Sequence, residues 1–240
     1  FHRGSRSLAV GALLAGSVGV LASAPLVARI LFPRLAAEIR QIFNRFLQAP
    51  PRTRLQLERS EATAAPENGH IGLSLDEMAA VAERLLRDTG LTRNFAPLVL
   101  LHGHGSNSQN NPHNSAYMCG ACGGAAGGPN ARAAAQILND DRVRDRLAAK
   151  GVLIPRDTRF VGGYHNTCND VVTYFDVESL PPAKRQEFEL ARVAMQEACE
   201  RNAHERCRRF MSAPLTMSFR QAHEHVKERA EALGQTRPEC

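Results

Sequence analysis

Aromatic residues are scarce in this sequence, which has no tryptophan, three tyrosines and ten phenylalanines among 240 residues. A protein that binds single-stranded nucleic acid needs a basic groove lined by aromatic side chains on which bases stack. No basic stretch interleaved with aromatic residues is visible in this sequence. The net charge is +6, and it comes almost entirely from arginine. Most arginines alternate with Glu or Asp along helical stretches such as residues 187–209. We interpret this charge as solvated helix faces and predict no nucleic-acid partner.

Cysteine is also infrequent, with six residues unevenly spaced along the chain. A disulfide framework is typical of short secreted domains with many closely spaced cysteines. The pattern therefore favours a reducing compartment, in which some thiols are available to bind a metal.

A long run without charge and rich in apolar residues occupies positions 8–28. Its length is that of a bilayer-spanning helix, and Ala22-Ser23-Ala24 resembles a signal-peptide cleavage site. Three glycines and Pro25 make the run weakly apolar, however, and an arginine-rich amphipathic stretch follows it as far as residue 59. These features favour a buried or membrane-surface helix over a spanning helix or a signal peptide.

Secondary-structure signals alternate between helix and strand, which predicts an α/β fold. A capping box at Ser74 and Glu77 predicts a helix that ends near residue 89. The apolar run at 95–101 predicts a buried parallel strand. Composition divides the chain into an apolar and arginine-rich helical segment (1–48), a linker (49–73), an α/β core (74–180) and a helical extension (181–240). Further helices are predicted at 130–138, 141–150, 181–210 and 218–233, and further strands at 160–164 and 171–175.

A glycine-rich loop is predicted at 103–128, after the carboxyl end of the first strand. Open α/β sheets place their ligand sites at this end, and imidazole and thiolate are preferred zinc ligands. Residue types alone also allow a Cys-x-x-Cys redox pair, half of a zinc knuckle, or histidines that only form hydrogen bonds in the loop. The possible ligands are His102, His104, His113, Cys119 and Cys122.

Several separate motifs between about residues 70 and 240 closely resemble the DabA family, the cytoplasmic subunits of two-part inorganic-carbon pumps. They are Gly103-His104-Gly105-Ser106, Asn110-Asn111-Pro112-His113, Cys119-Gly-Ala-Cys-Gly-Gly124, Asp157-Thr-Arg-Phe-Val161, His165-Asn166-Thr167 with Asp170, and Arg237-Pro238-Glu239. The resemblance implies a β-carbonic-anhydrase-like core, with a mostly parallel sheet and added helical segments. It also implies that His104 and Cys119 are ligands of a Zn2+ cofactor.

The family's other two zinc ligands, a Cys and an Asp, belong to an upstream Cys-x-Asp-x-Arg motif that is absent from this chain. Cys168-Asn169-Asp170 imitates its first half, but Val172 stands where the Arg would be. We therefore expect the chain to be a piece of a longer protein, with the remaining ligands and an Asp–Arg pair in an upstream part. The isolated piece should bind zinc weakly and should not hydrate CO2, because zinc sites use three or four protein ligands.

The resemblance further implies conversion of CO2 to bicarbonate in the intact complex, coupled to an integral, ion-conducting, DabB-like membrane subunit. The chain would then be a peripheral protein on the cytoplasmic face of the inner membrane. The alternative function is a non-catalytic scaffold that is docked on a membrane protein and stabilised by zinc.

Overall fold

The structure is a computed structural model that describes residues 8–47, 53–59, 72–108 and 114–232. Helices and strands alternate through its central part, so the predicted α/β class is confirmed. In chain order the elements are α1 (Leu8–Leu31), α2 (Pro33–Leu47), α3 (Leu75–Asp88), β1 (Leu98–Gly105), the single turn α4 (Asn114–Tyr117), α5 (Gly128–Asn139), α6 (Asp141–Ala149), β2 (Arg159–Asn166), β3 (Val171–Tyr174), α7 (Pro182–Cys207) and α8 (Phe219–Glu231).

Local sequence signals determine where several helices begin. The predicted capping box is formed at the start of α3, where the Glu77 amide donates to Ser74 Oγ at 3.2 Å and the Ser74 amide donates to Glu77 Oε2 at 2.7 Å. Ser218 and Gln221 form a second capping box at the start of α8. Each box satisfies backbone N–H groups that the first helical turn leaves without a partner.

The three described strands form one sheet in the order β1-β2-β3. β1 and β2 are parallel, whereas β2 and β3 are antiparallel. The expectation of a mostly parallel sheet is therefore met only in part. The reason is the short turn at residues 167–170 between β2 and β3, since a parallel connection needs a crossover of a dozen or more residues.

The first strand differs from its prediction in position. It covers Leu98–Gly105 and not residues 95–101, so the segment predicted to begin the glycine-rich loop is strand. The difference arises because β2 pairs with β1 along its whole length, up to the partners Gly105 and Asn166. His104 thus lies within the sheet and not in a loop.

The main hydrophobic core lies between one face of the sheet and helices α3, α5 and α6. It includes Leu86, Leu138, Val143, Leu147 and Phe160, which are all nearly inaccessible to solvent. A second core joins α7 to α8.

Residues 53–59, which belong to the predicted linker 49–73, lie against this main core. Leu57 and Leu73 pack on the core, and the Leu73 amide donates to the Leu57 carbonyl at 2.7 Å. This part of the predicted linker is therefore attached to the core by apolar contact and by backbone hydrogen bonds.

The first two helices expose much of their apolar surface. Leu35, Ile39, Ile42 and Phe43 of α2 follow a helical period and are between 47% and 63% exposed. The opposite side of α2 lies on α8, where Arg34 forms an ion pair with Glu224. None of the helices that the structure describes is both long enough and apolar enough to cross a membrane.

Candidate metal centre

His104 lies one residue before the end of β1, directly beside His165 of β2 in the strand register. Glycines on both sides of His104 allow close packing behind the strand. A Cβ atom at Gly103 would lie 2.0 Å from the Gly127 carbonyl oxygen, and one at Gly105 would lie 2.8 Å from the Tyr164 ring. The backbone at His104 therefore lies close to the segment that precedes α5.

Cys119 is connected to His104 through this same segment. The Cys119 amide donates to the Ala125 carbonyl at 3.1 Å, and the Gly127 amide donates to the His104 carbonyl at 2.8 Å. Between them the chain turns back through Gly123 and Gly124, whose φ angles of 66° and 79° suit glycine. These backbone bonds bring both predicted ligands to the carboxyl end of β1, with His104 exposed and Cys119 half-buried.

Cys122 contacts the predicted ligand Cys119 but has a different environment. A hydrogen bond to Cys119 raises the pKa of the Cys122 thiol, and Asn130 Nδ2 donates to its sulfur at 3.2 Å. The two thiols are therefore neighbours, and the choice of Cys119 as the sulfur ligand rests on the family motif.

The other candidate histidines have different positions. His102 lies on the same face of β1 as His104, and its ring packs on Tyr174 with ring centroids 5.5 Å apart. Although the residue is exposed overall, burial of the ring lowers the pKa of His102, and nearby His165 lowers it further. His113 lies outside the described residues. Within the described ranges, no group of three or more His, Cys, Asp or Glu side chains has an arrangement that could hold a metal ion.

Cys168, which begins the segment that imitates the family's upstream motif, forms hydrogen bonds within the fold. It is fully buried, and its thiol donates to the Asn107 carbonyl at 2.8 Å and to Asn166 Oδ1 at 3.2 Å. These bonds join the segment after β1 to the turn after β2.

A cluster around Asp170 adjoins the site, and sequence reasoning did not identify it as a functional group. His165 Nε2 lies 3.0 Å from Asp170 Oδ1, and Asn202 of α7 donates to both carboxylate oxygens. Arg206 of α7 forms an ion pair with the same carboxylate. Asn202 and Arg206 are four residues apart and share one helix face, but this spacing alone does not indicate which carboxylate they contact.

Asp170 is only 2% exposed. Burial alone would raise the pKa of Asp170, but the hydrogen bond from His165, the charge of Arg206 and the hydrogen bonds from Asn202 lower it overall. Asp170 is therefore a buried carboxylate at neutral pH, and it acts only as a hydrogen-bond acceptor.

Several known proteins are similar to this chain over nearly its whole length. It is 49% identical over 238 residues, 99% of this chain, to "Probable inorganic carbon transporter subunit DabA 2" of Rhodopirellula baltica. It is 47% identical over 99% of its length to "Probable inorganic carbon transporter subunit DabA 1" of Sorangium cellulosum. A protein of Methylococcus capsulatus, "Probable inorganic carbon transporter subunit DabA", is 43% identical over 98% of this chain.

The chain spans only 22% to 23% of the length of these relatives. No solved structure matches it. The family "Probable inorganic carbon transporter subunit DabA" matches all of residues 1–240. The chain therefore belongs to the DabA family of probable inorganic carbon transporter subunits.

Proposed function

We propose that this chain provides half of the zinc site of an inorganic-carbon transporter subunit that converts CO2 to bicarbonate. The observation that carries the proposal is the pair of backbone hydrogen bonds that brings Cys119 and His104 to one end of β1. The transporter would couple this reaction to ion flow through an integral, DabB-like membrane subunit. A carbonic-anhydrase-like core is part of the same proposal.

The two side chains fit one half of a zinc site. Imidazole and thiolate are preferred zinc ligands, and a site needs three or four protein ligands in all. Exposure of His104 leaves room for ligands from another part of the polypeptide. Because the chain covers only 22% of the length of a relative, we place the remaining ligands and an Asp–Arg pair in the rest of the full-length protein.

Bound zinc would supply a Lewis acid that lowers the pKa of coordinated water to about 7, so that hydroxide is available at neutral pH. The residues of this chain would hold the two zinc ligands in position and would place a polar thiol beside one of them. β1 and β2 hold His104 in a fixed register, and the Cys119–Ala125 pairing fixes the backbone of the thiolate ligand. The thiol of Cys122 lies near enough to donate to the Cys119 sulfur.

Uptake of isotope-labelled inorganic carbon tests the catalytic role. The full-length protein is expressed with its membrane subunit in cells that lack other carbon-uptake systems. Cys119→Ala should reduce uptake to background, because the zinc site cannot be completed without the Cys119 thiolate. Cys122→Ser should keep most of the uptake.

Co-purification with the membrane subunit separates this proposal from the scaffold alternative. If zinc acts in catalysis, Cys119→Ala loses uptake but is still recovered with its partner. Joint loss of uptake and of the complex would favour a scaffold that zinc stabilises.

We also propose peripheral attachment at the cytoplasmic face of the inner membrane through α1 and α2. The exposed apolar stripe of α2 points away from α8. Arg34 and Arg40 of α2 form ion pairs with Glu224 and Glu231 of α8. Such a stripe suits a membrane surface or the membrane subunit.

Alkaline carbonate should strip the full-length protein from membranes when the membrane subunit is absent. Charge attraction to lipid acts only within about 8 Å at physiological salt. Attachment that depends on it is weaker than insertion of a spanning helix, so the wash should release the protein. With the partner present, retention should fall in an Ile42→Ser, Phe43→Ser variant, because the apolar stripe is interrupted. Fractionation and immunoblotting measure retention.

The matched control is Leu190→Ser, Val193→Ser, which changes two exposed apolar residues of α7. Retention in the carbonate-washed pellet without the partner would contradict peripheral attachment and favour a spanning segment.

A further inference from the structure

One face of the sheet carries three histidines at the carboxyl ends of β1 and β2. In the parallel register His102 is the partner of Gly163, and His104 is the partner of His165. Partners in parallel strands share a face, as do residues two apart in one strand. A Cβ atom at Gly163 would lie 2.8 Å from His102 Cδ2, so the glycine provides the space for that ring. His104 and His165 are thus direct neighbours.

His165 differs from the other two because a buried carboxylate fixes its ring. Its Nε2 atom lies 3.0 Å from Asp170 Oδ1. The Asp170 carboxylate is held in turn by Asn202 Nδ2, at 3.2 Å and 3.1 Å, and by Arg206. Both supporting residues belong to the long helix α7. The His165 side chain itself is 33% exposed, so part of its ring remains accessible.

This contact determines the tautomer of a neutral His165 ring. Asp170 is an acceptor only, so Nε2 must carry the N–H that it receives. The Nδ1 atom then has a lone pair and accepts hydrogen bonds. None of the described residues donates to this atom.

Neither the buried ion pair of Asp170 nor its left-handed backbone conformation stabilises the fold by itself. A buried ion pair is often no more stabilising than apolar residues of similar size. The φ angle of Asp170 is 53°, a left-handed conformation that aspartate adopts more often than most other non-glycine residues. A buried carboxylate that hydrogen-bonds one ring nitrogen of a partly exposed histidine fixes the orientation and tautomer of that ring.

We infer that His165 binds bicarbonate, with Asp170 as a positioning residue that directs His165 Nδ1 to accept the hydrogen bond of the bicarbonate hydroxyl beside His104. The inference rests on the proposed function, because it takes inorganic carbon as the ligand at this strand end. It assigns His165 a binding role that is separate from metal ligation. Acetate and nitrate have no hydroxyl group at neutral pH and should not bind in this way.

Chemical protection tests the inference without measuring transport. Diethyl pyrocarbonate acylates accessible, neutral imidazole nitrogens, and mass spectrometry of peptides locates the product. In the full-length protein, bicarbonate should slow acylation of His165 at least about threefold, whereas acetate and nitrate at equal ionic strength should not. Equal protection by all three anions, or by none, would overturn the inference.

Matched variants test the roles of the two ring nitrogens of His165 separately. His165→Gln keeps an amide N–H near the Nε2 position for Asp170 but has no acceptor at the Nδ1 position. It should raise the half-saturating inorganic carbon concentration for uptake about tenfold, the effect of one lost hydrogen bond. His165→Asn places an amide oxygen near the Nδ1 position and should recover part of this loss. Asp170→Asn can donate to Nε2 and favour the other tautomer, so it should resemble His165→Gln.

His223→Gln is the control for structural disturbance. His223 is buried, and its Nε2 lies 3.0 Å from the carbonyl of Asn169, next to Asp170. Its half-saturating concentration should stay within twofold of the unsubstituted protein. A half-saturating concentration within twofold for His165→Gln would overturn the inference.

Zinc content distinguishes failure of this inference from failure of the proposed function. All of these variants should keep zinc at the level of the unsubstituted protein, whereas His104→Ala should not. Loss of zinc in His165→Gln would mean that His165 supports the metal and would overturn a bicarbonate role. Full zinc in His104→Ala would contradict the proposed function, and protection of His165 by bicarbonate could still be measured.

Discussion

Replacement of His104 or Cys119 with alanine is expected to reduce the zinc content of the purified full-length protein to well below one equivalent. Each change removes an atom that would bind the metal directly. Loss of residues that only support metal ligands lowers affinity about 10-fold to 100-fold, so loss of a ligand should exceed that range. Elemental analysis of protein purified without added zinc measures the result.

Two cysteine variants serve as controls for the zinc measurement. Cys122→Ser keeps a donor next to Cys119, and Cys168→Ser keeps a donor that can reach the Asn107 carbonyl. Both should retain most of the zinc. A Cys119→Ala protein that retains a full equivalent would show that the sulfur ligand has been assigned to the wrong residue.

Gly103→Ala should disrupt the same centre without removing a ligand. The added methyl group would lie 2.0 Å from the Gly127 carbonyl oxygen and 2.2 Å from its carbonyl carbon. These are backbone atoms, so no side chain can rotate away. The segment must move, and the Gly127 amide then loses its bond to the His104 carbonyl. Such overpacking costs about 1–3 kcal/mol, and the lost hydrogen bond adds about 1 kcal/mol.

Hydrogen exchange measured by mass spectrometry tests this prediction in the full-length protein. Amides in residues 119–130 should exchange at least about 30-fold faster in Gly103→Ala, as expected for roughly 2 kcal/mol of lost local stability. Zinc content should fall as well.

The matched control is Gly120→Ala, because a Cβ atom at Gly120 would meet nothing within 4 Å. Both exchange and zinc should then be close to those of the unsubstituted protein. Unchanged exchange in Gly103→Ala would contradict the close packing of β1 against the segment before α5.

Most helices could be predicted from local sequence signals. Ser74 and Glu77 predicted the start of α3 because a capping box involves only residues in one helical turn. The end of β1 could not be predicted in this way. Its extension to Gly105 depends on pairing with β2, which lies more than fifty residues further along the chain. Glycines at 103 and 105 suggested a loop, whereas in the structure they allow Gly127 and Tyr164 to approach the strand.

The identities of the proposed ligands came from residue types and family motifs, and they remain predictions. The backbone bonds between Ala125 and Cys119 and between Gly127 and His104 then provided a physical connection between the two positions. The cluster at Asp170 required the tertiary structure. His165 and Asp170 are close in sequence, but Asn202 and Arg206 come from a helix that packs on the sheet.

The sequence by itself determined the chemical groups, the helix starts and the family, because these depend on residue type and on spacing within a few residues. Only the tertiary structure decided that His165 is the strand neighbour of His104 and that Asp170 fixes its ring. The reason is that register and buried polar contacts depend on which distant segments pack together. An interaction of this kind leaves no periodic pattern in the sequence of either segment.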